Sequence, residues 1–210
     1  MTVLVIANDE IKDELFSHAA KDVIQLTYIQ APADYVPGKP IDACIDLLFE
    51  NTAERIRWLN NLQAPLIIIN SVITTLKNIQ QDFIRINGWP TFLKRQMMEA
   101  AANNAFLKEK AEKLFLSLGK KTEWVPDITG LITPRIVAAV INEAFFALEE
   151  NVSTEEEIDT AMKLGTNYPF GPFEWSKKIG LQNIYSLLSA LSKEQIRYQP
   201  SSLLKQKSFA

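Results

Sequence analysis

The stretch Thr2-Val3-Leu4-Val5-Ile6-Ala7-Asn8-Asp9-Glu10-Ile11-Lys12 decides the fold. Its first six residues are apolar and largely β-branched, the mark of a strand buried on both faces, as in parallel sheets. Asn8, Asp9 and Glu10 then suit a helix start, because acidic side chains complement the positive end of the helix dipole. A strand that runs straight into a helix opens an α/β domain.

Reading outward, the pattern repeats. Val23 to Ile29 is a second predicted strand, and residues 31–40, with Pro32, Pro37, Gly38 and Pro40, are a loop. Ile41 to Phe49 is a third strand, with Cys44 as a small core residue. Ile56, Leu59 and Leu62 predict a helix over 52–62. Pro65 then introduces Leu66-Ile67-Ile68-Ile69-Asn70, the strongest strand signal in the chain. Strand and helix in alternation imply a parallel sheet with helices on its faces. After about residue 95 the period becomes helical. A stripe from Phe106 to Leu118 is stopped by Gly119 in the C′ position. Ile132 to Glu150 is a longer helix, with an apolar stripe from Ile136 to Leu148. Ser153 and Glu156 have capping-box spacing for a helix that Gly165 ends, and residues 181–191 form one more. The boundary between the α/β part and the helical part falls in 120–130, around Pro126.

Composition bounds the function. The chain has 210 residues, 47% hydrophobic and 22% charged, enough to build a globular core without staples. Cys44 is the only cysteine, which excludes a disulfide framework and a cysteine-rich zinc site. His18 is the only histidine, so no two-histidine metal motif exists, and no metal is expected. A net charge of -3 gives no basic footprint for nucleic acid. No apolar run is long enough for a membrane span. The N-terminus lacks a basic region and a small-residue cleavage site, so no signal peptide is expected and the cytoplasm is the expected compartment.

A parallel sheet beginning at residue 2 raises the question of a dinucleotide. The phosphate-binding turn of such domains needs glycine, for its tight bend and for close backbone approach to the pyrophosphate. The seven glycines are Gly38, Gly88, Gly119, Gly130, Gly165, Gly171 and Gly180, and none lies in the first turn. Side chains there fill the pyrophosphate space, and Asp9 and Glu10 repel a diphosphate. The expectation is no ordinary NAD binding at this turn, and no residue is assigned to cofactor binding.

The C-terminal part carries an ordered series: Asp127-Ile128-Thr129-Gly130-Leu131-Ile132-Thr133-Pro134-Arg135, Asn142-Glu143-Ala144, Glu157-Ile158-Asp159, then Gly165 to Trp175, then Ile179-Gly180-Leu181. Over residues 120–190 this series resembles the C-terminal domain of the 3-hydroxyacyl-CoA dehydrogenases. The first half looks like the same family in reduced form. Residues 42–51 are similar to the family's strand ending in Glu-Asn, and residues 65–76 to its next strand, with a hydroxyl-rich turn. The family's nucleotide half is longer than the residues before Asp42, so part of the adenosine-binding unit is missing. The resemblance implies an α/β plus all-α chain. A reduced Rossmann-like parallel-sheet domain over 1–122 precedes a helical domain over 123–210.

What the resemblance implies for chemistry follows residue by residue. In the family a histidine is the general base, a glutamate orients it, and a serine and an asparagine position the substrate oxygen. Glu99 matches the glutamate. Counting back twelve positions lands on Asn87, and anchoring on Pro90 lands on Ile86; neither can act as a base. His18 lies on the predicted first helix and reads as a surface or rim residue. The serine falls on Thr74 or Thr75, and the asparagine on Pro134. The catalytic candidates by family position are Glu99, Thr74 and Asn87.

The expected function is a divergent family member, unable to bind NAD in the usual way and catalytically impaired, binding an acyl-CoA-like ligand or acting as a dimeric scaffold. The alternative is an active NAD-dependent 3-hydroxyacyl-CoA (3-hydroxybutyryl-CoA) dehydrogenase with a rearranged site. Tyr168 to Trp175 reads as a substrate-proximal loop or, preferably, as an anchor between helices. Lys177 and Lys178 read as contacts to a CoA phosphate or as a solvated face. In the family the long helix region forms a dimer interface, which implies a homodimer through the C-terminal helices.

Overall fold

The computed structural model describes residues 1–18 and 25–210. The chain divides into two compact units, Met1–Leu131 and Ile132–Ala210.

The described residues of the first unit form a seven-stranded sheet: β1 (Thr2–Ile6), β2 (Gln25–Ile29), β3 (Ala43–Asp46), β4 (Ile67–Asn70), β5 (Ile84–Ile86), β6 (Met97–Ala101) and β7 (Lys121–Trp124). The order is β2-β1-β3-β4-β5-β6-β7. The strands from β2 to β5 are parallel, β6 is antiparallel to β5, and β7 is parallel to β6. A full dinucleotide-binding sheet has the order 3-2-1-4-5-6. Among the described residues no strand lies beyond β2, where the third strand of that order would stand. The reduced Rossmann-like reading of the sequence is therefore correct.

Alternation along the strands sends side chains into two cores. Val3, Val5, Ile45, Ile68 and Ile86 face α1 (Asp9–Leu15) and α4 (Ala105–Ser117). Leu4, Ile6, Cys44, Ile67 and Ile69 face α2 (Ala53–Asn61) and α3 (Leu76–Ile79). Each helix starts on a side-chain cap: Asn8 accepts from Ile11 N–H, Thr52 from Arg55, Thr75 from Asn78, and Asn104 from Phe106 and Leu107. Gly119, with φ 71°, follows the last helix turn as expected.

Several sequence expectations need adjusting. Of the second predicted strand the described part is β2, Gln25–Ile29; Val23 and Ile24 lie outside the described residues. The strands β5, β6 and β7 are not foreseen by periodicity: β5 has only three residues, β6 is built from helix formers, Met-Met-Glu-Ala-Ala, and β7, Lys-Thr-Glu-Trp, lacks an apolar run. Pairing with β5 overrides that propensity. β7 draws residues 121–124 into the sheet, so the first unit runs to Leu131 and not to residue 122.

The second unit is helical: α5 (Thr133–Glu149), α6 (Glu155–Thr166), α7 (Pro172–Ile179), α8 (Leu181–Ser192) and α9 (Ser202–Ser208). The capping box of α6 sits one residue later than predicted, at Thr154 and Glu157, because Thr154 Oγ1 meets the Glu157 N–H at 3.3 Å while Ser153 only adds a bond to the Glu157 carboxylate. Gly165 lies inside α6; Asn167, with φ 56°, ends it. Along α5, Val137, Ile141 and Phe145 are buried, whereas Ile136, and Ile132 just before the helix, are 54% and 44% exposed. Asn142 fastens the following segments, donating to the Gln199 carbonyl and accepting from the Ser201 N–H, both at 2.9 Å. Among the described residues no helix is long and apolar enough to cross a membrane.

Candidate functional site

Open α/β sheets bind ligands outside the carboxyl ends of their strands, where the strand order reverses. In this chain that point lies between β1 and β3. Four turns end there: Ala7–Asn8 after β1, 47–51 after β3, 71–75 after β4, and 87–89 after β5.

The first turn is a capped helix start. Asn8 Oδ1 accepts the Ile11 N–H at 2.9 Å, so an amide that would face a phosphate already has a partner. Asp9 and Glu10 place two carboxylates in the first helical turn. Asp9 is further held by Lys12 at 3.3 Å and by the Tyr28 hydroxyl at 3.2 Å. This turn does not offer the open cradle that a dinucleotide's diphosphate occupies at a glycine-rich turn.

The other three turns are fastened to one another. Asn70, at the end of β4, donates to the Leu47 carbonyl at 3.1 Å and to the Gly88 carbonyl at 3.4 Å, and accepts the Gly88 N–H at 2.9 Å. Gly88 permits this closeness, since a Cβ there would come within 2.6 Å of Asn70 Cγ. Below them Asp46 is fully buried and paired with Arg55. Burial raises the Asp46 carboxyl above its usual range, against the bonds and charge of Arg55. Burial of Cys44 pushes its thiol well up, which makes it an inert core group.

Asn87 and Glu99 are brought together. Ile86 pairs with Ala100, and the Asn87 N–H donates to the Glu99 carbonyl at 3.2 Å, so Asn87, just past β5, faces Glu99 on β6. Asn87 is buried, and its Oδ1 accepts the Trp89 N–H at 3.3 Å. Of the two threonines, Thr75 caps α3, which leaves Thr74 as the hydroxyl this turn offers. His18 lies just beyond α1 and not within it; it is exposed, and its Nε2 is 3.0 Å from the Lys94 carbonyl oxygen. Sequence reasoning missed Asn70 and Arg85. The signal for Arg85 was present: a charge inside Phe83-Ile84-Arg85-Ile86 must find buried partners.

In the second unit, Pro134 occupies the first turn of α5. Asp159 accepts the N–H groups of Phe173 at 2.8 Å and Glu174 at 3.1 Å, so the 168–175 stretch anchors α7 onto α6. Lys177 is 4.0 Å from Glu155, and Lys178 lies over the Phe170 ring at 4.8 Å. No cluster of metal-ligating side chains occurs among the described residues.

Comparison with known proteins places this geometry. Residues 130–209 match the family model of the 3-hydroxyacyl-CoA dehydrogenase C-terminal domain. A 3-hydroxyadipyl-CoA dehydrogenase of Escherichia coli K12 is 42% identical over 110 residues, covering 51% of this chain and 23% of that protein. A 3-hydroxybutyryl-CoA dehydrogenase of Bradyrhizobium diazoefficiens is 33% identical over 121 residues, covering 57% of this chain and 41% of that protein. The chain thus spans less than half the length of these relatives. The structure of the (S)-3-hydroxybutyryl-CoA dehydrogenase of Ralstonia eutropha superposes with a TM-score of 0.73 over 98% of this chain and 92% of that one, at 20% identity, a likeness of fold. The 3-hydroxybutyryl-CoA dehydrogenase of Escherichia coli K12 gives 0.60 at 32% identity, over 68% of this chain and 31% of that one. Residues 130–209 are thus similar to the 3-hydroxyacyl-CoA dehydrogenase C-terminal domain, and the chain as a whole shares the fold of the Ralstonia eutropha structure, a Rossmann-like sheet domain followed by helices.

Proposed function

We propose that this protein is an oxidoreductase of the 3-hydroxyacyl-CoA dehydrogenase type, NAD-dependent and acting on a CoA thioester at a rearranged site. The observation that carries this reading is the 42% identity over 110 residues to a 3-hydroxyadipyl-CoA dehydrogenase. Thr74 offers the hydroxyl to the substrate oxygen. Glu99 stands at the family position of the orienting carboxylate, and Asn87, its cross-strand neighbour, is a neutral hydrogen-bonding group. The β1 turn takes no part in holding the cofactor's diphosphate. The test is reduction of acetoacetyl-CoA by NADH with the purified protein. Turnover with saturation in both substrates is the expected result, and no NADH oxidation at micromolar protein overturns it.

A second reading is favoured by two observations, the Asn8 cap on the Ile11 amide and Asn87 in place of a base. It is a family member without turnover of its own, which holds an acyl-CoA-type ligand or serves as a scaffold. Calorimetric titration separates the two readings. Saturable NADH binding with Kd in the range of about 1–100 μM supports the first, and none at millimolar NADH, with CoA thioesters still binding, supports the second.

We further propose a cytoplasmic homodimer that associates through the C-terminal helices. The exposed Ile132, at the start of α5, and Ile136 on it support this reading. Light scattering at tens of micromolar protein should give the mass of two chains; the mass of one overturns it.

A further inference from the structure

Arg85 lies in the middle of β5 with its side chain fully buried. Burying a guanidinium is costly unless its N–H groups all meet acceptors. Here Nε donates to the Ser71 carbonyl, Nη2 to the carbonyls of Val72 and Ile128, both at 2.8 Å, and Nη1 to Asp127 Oδ1 at 2.6 Å.

These acceptors frame Thr74. Ser71 and Val72 precede it in the β4–α3 turn. Asp127 reaches the other side of the turn: its Oδ2 accepts the Lys77 N–H at 3.1 Å, in the first turn of α3. The Gly130 N–H donates to the Val72 carbonyl at 2.8 Å, and Ser71 Oγ donates to the Thr74 carbonyl at 2.8 Å. The segment 71–77 is thus an arch with Thr74 near its crown. Arg85 holds one foot directly, and it holds the other through Asp127. A lysine ammonium is a compact charge with three donors and cannot span four acceptors set around a plane.

We propose that Arg85 is the positioning residue for Thr74, fixing both feet of the 71–77 arch and so the place where the Thr74 hydroxyl meets the oxygen of a thioester substrate. The inference rests on the reading of Thr74 as the substrate-oxygen contact.

The experiment compares native-state amide exchange and acetoacetyl-CoA affinity in the full chain and in two variants, Arg85→Lys and the milder Asp127→Asn. Exchange at Lys77, Asn78 and Gly130 should accelerate by about tenfold or more, with the amides of β1 and β3 unchanged, as for a local opening. Acetoacetyl-CoA affinity, read by calorimetry, should fall in the same variants. Equal acceleration throughout the sheet, or failure of both variants to fold, would make Arg85 a general stabiliser and overturn the proposal. Unchanged exchange at 77 and 130 would overturn it too. Thr74→Val separates the underlying reading. Unaltered affinity in that variant removes Thr74 from the substrate, while the exchange data still decide whether Arg85 sets the arch.

Discussion

Asp46 and Arg55 meet in a bidentate ion pair, Nε to Oδ2 at 2.7 Å and Nη2 to Oδ1 at 2.8 Å, that ties α2 to the carboxyl end of β3. The carboxylate is wholly buried and the guanidinium nearly so. The two ends are therefore not equivalent. Arg55→Ala leaves a buried carboxylate without its partner and should destabilise the fold by about 3–5 kcal/mol. Asp46→Asn keeps an acceptor and leaves the charge on the less buried partner, so it should cost clearly less. Urea denaturation of the two variants checks the order, and equal losses would refute the asymmetry.

Lys120 is another buried charge, and its partners are carbonyls. Its Nζ donates to the carbonyls of Leu93 and Arg95 and lies 3.5 Å from that of Glu14, whose carboxylate oxygens accept the Thr91 N–H at 2.8 and 2.9 Å. Lys120→Met should cost about 1–3 kcal/mol, because those carbonyls lose a charged donor. Burial lowers the Lys120 ammonium below its usual 10.5, partly opposed by Glu14. The unfolded chain thus holds this proton to higher pH than the folded one. Wild type should gain stability relative to Lys120→Met as pH rises from the lowered value to 10.5. A flat difference across that window, in thermal or urea melts, would count against the assignment.

Asp159 caps α7 through two backbone N–H groups, and Gly171 lies so close that a Cβ would run into the Asp159 side chain. Asp159→Ala should cost about 0.5–2 kcal/mol, the usual worth of a helix cap. Gly171→Ala should also destabilise, although its φ of -73° suits any residue. A Gly171→Ala protein as stable as wild type would show that the approach is looser than described.

The two neighbouring threonines should separate function from stability. Thr75→Val removes the cap of α3 and should lower stability by about 1 kcal/mol. Thr74→Val should leave stability within about 0.5 kcal/mol and lower acetoacetyl-CoA reduction by about 100- to 1,000-fold, the scale of one lost hydrogen bond to the reacting oxygen. The reverse pattern would move the substrate contact to Thr75.

The strongly patterned elements could be read from residues alone: β1, β3, β4, α2, α4 and α5 follow runs and stripes that only burial explains. The weakly patterned strands β5, β6 and β7 could not. Three residues of β5 carry too little periodicity, and one of them is Arg85, whose partners at Ser71, Val72, Asp127 and Ile128 are far away in sequence. The site candidates Asn87, Glu99 and Thr74 were named from residue type and family position alone. The site was hidden where it depends on register, as in the facing of Asn87 and Glu99 or the clasp of Asn70 on Gly88. Domain extent went the same way: residues 121–124 look like linker until β6 supplies a strand beside them.

The Asn142 clasp gives the last residues of the chain an unexpected status. Through Gln199 and Ser201 it fixes the start of α9, and Leu204, fully buried, completes the packing behind it. These residues act as a plug seated in the helical unit. A shortened version ending near residue 195 would expose the plug's seat to water and to other chains, and poor solubility would follow without any harm to the sheet. A purification handle placed after Ala210 leaves the plug in its socket.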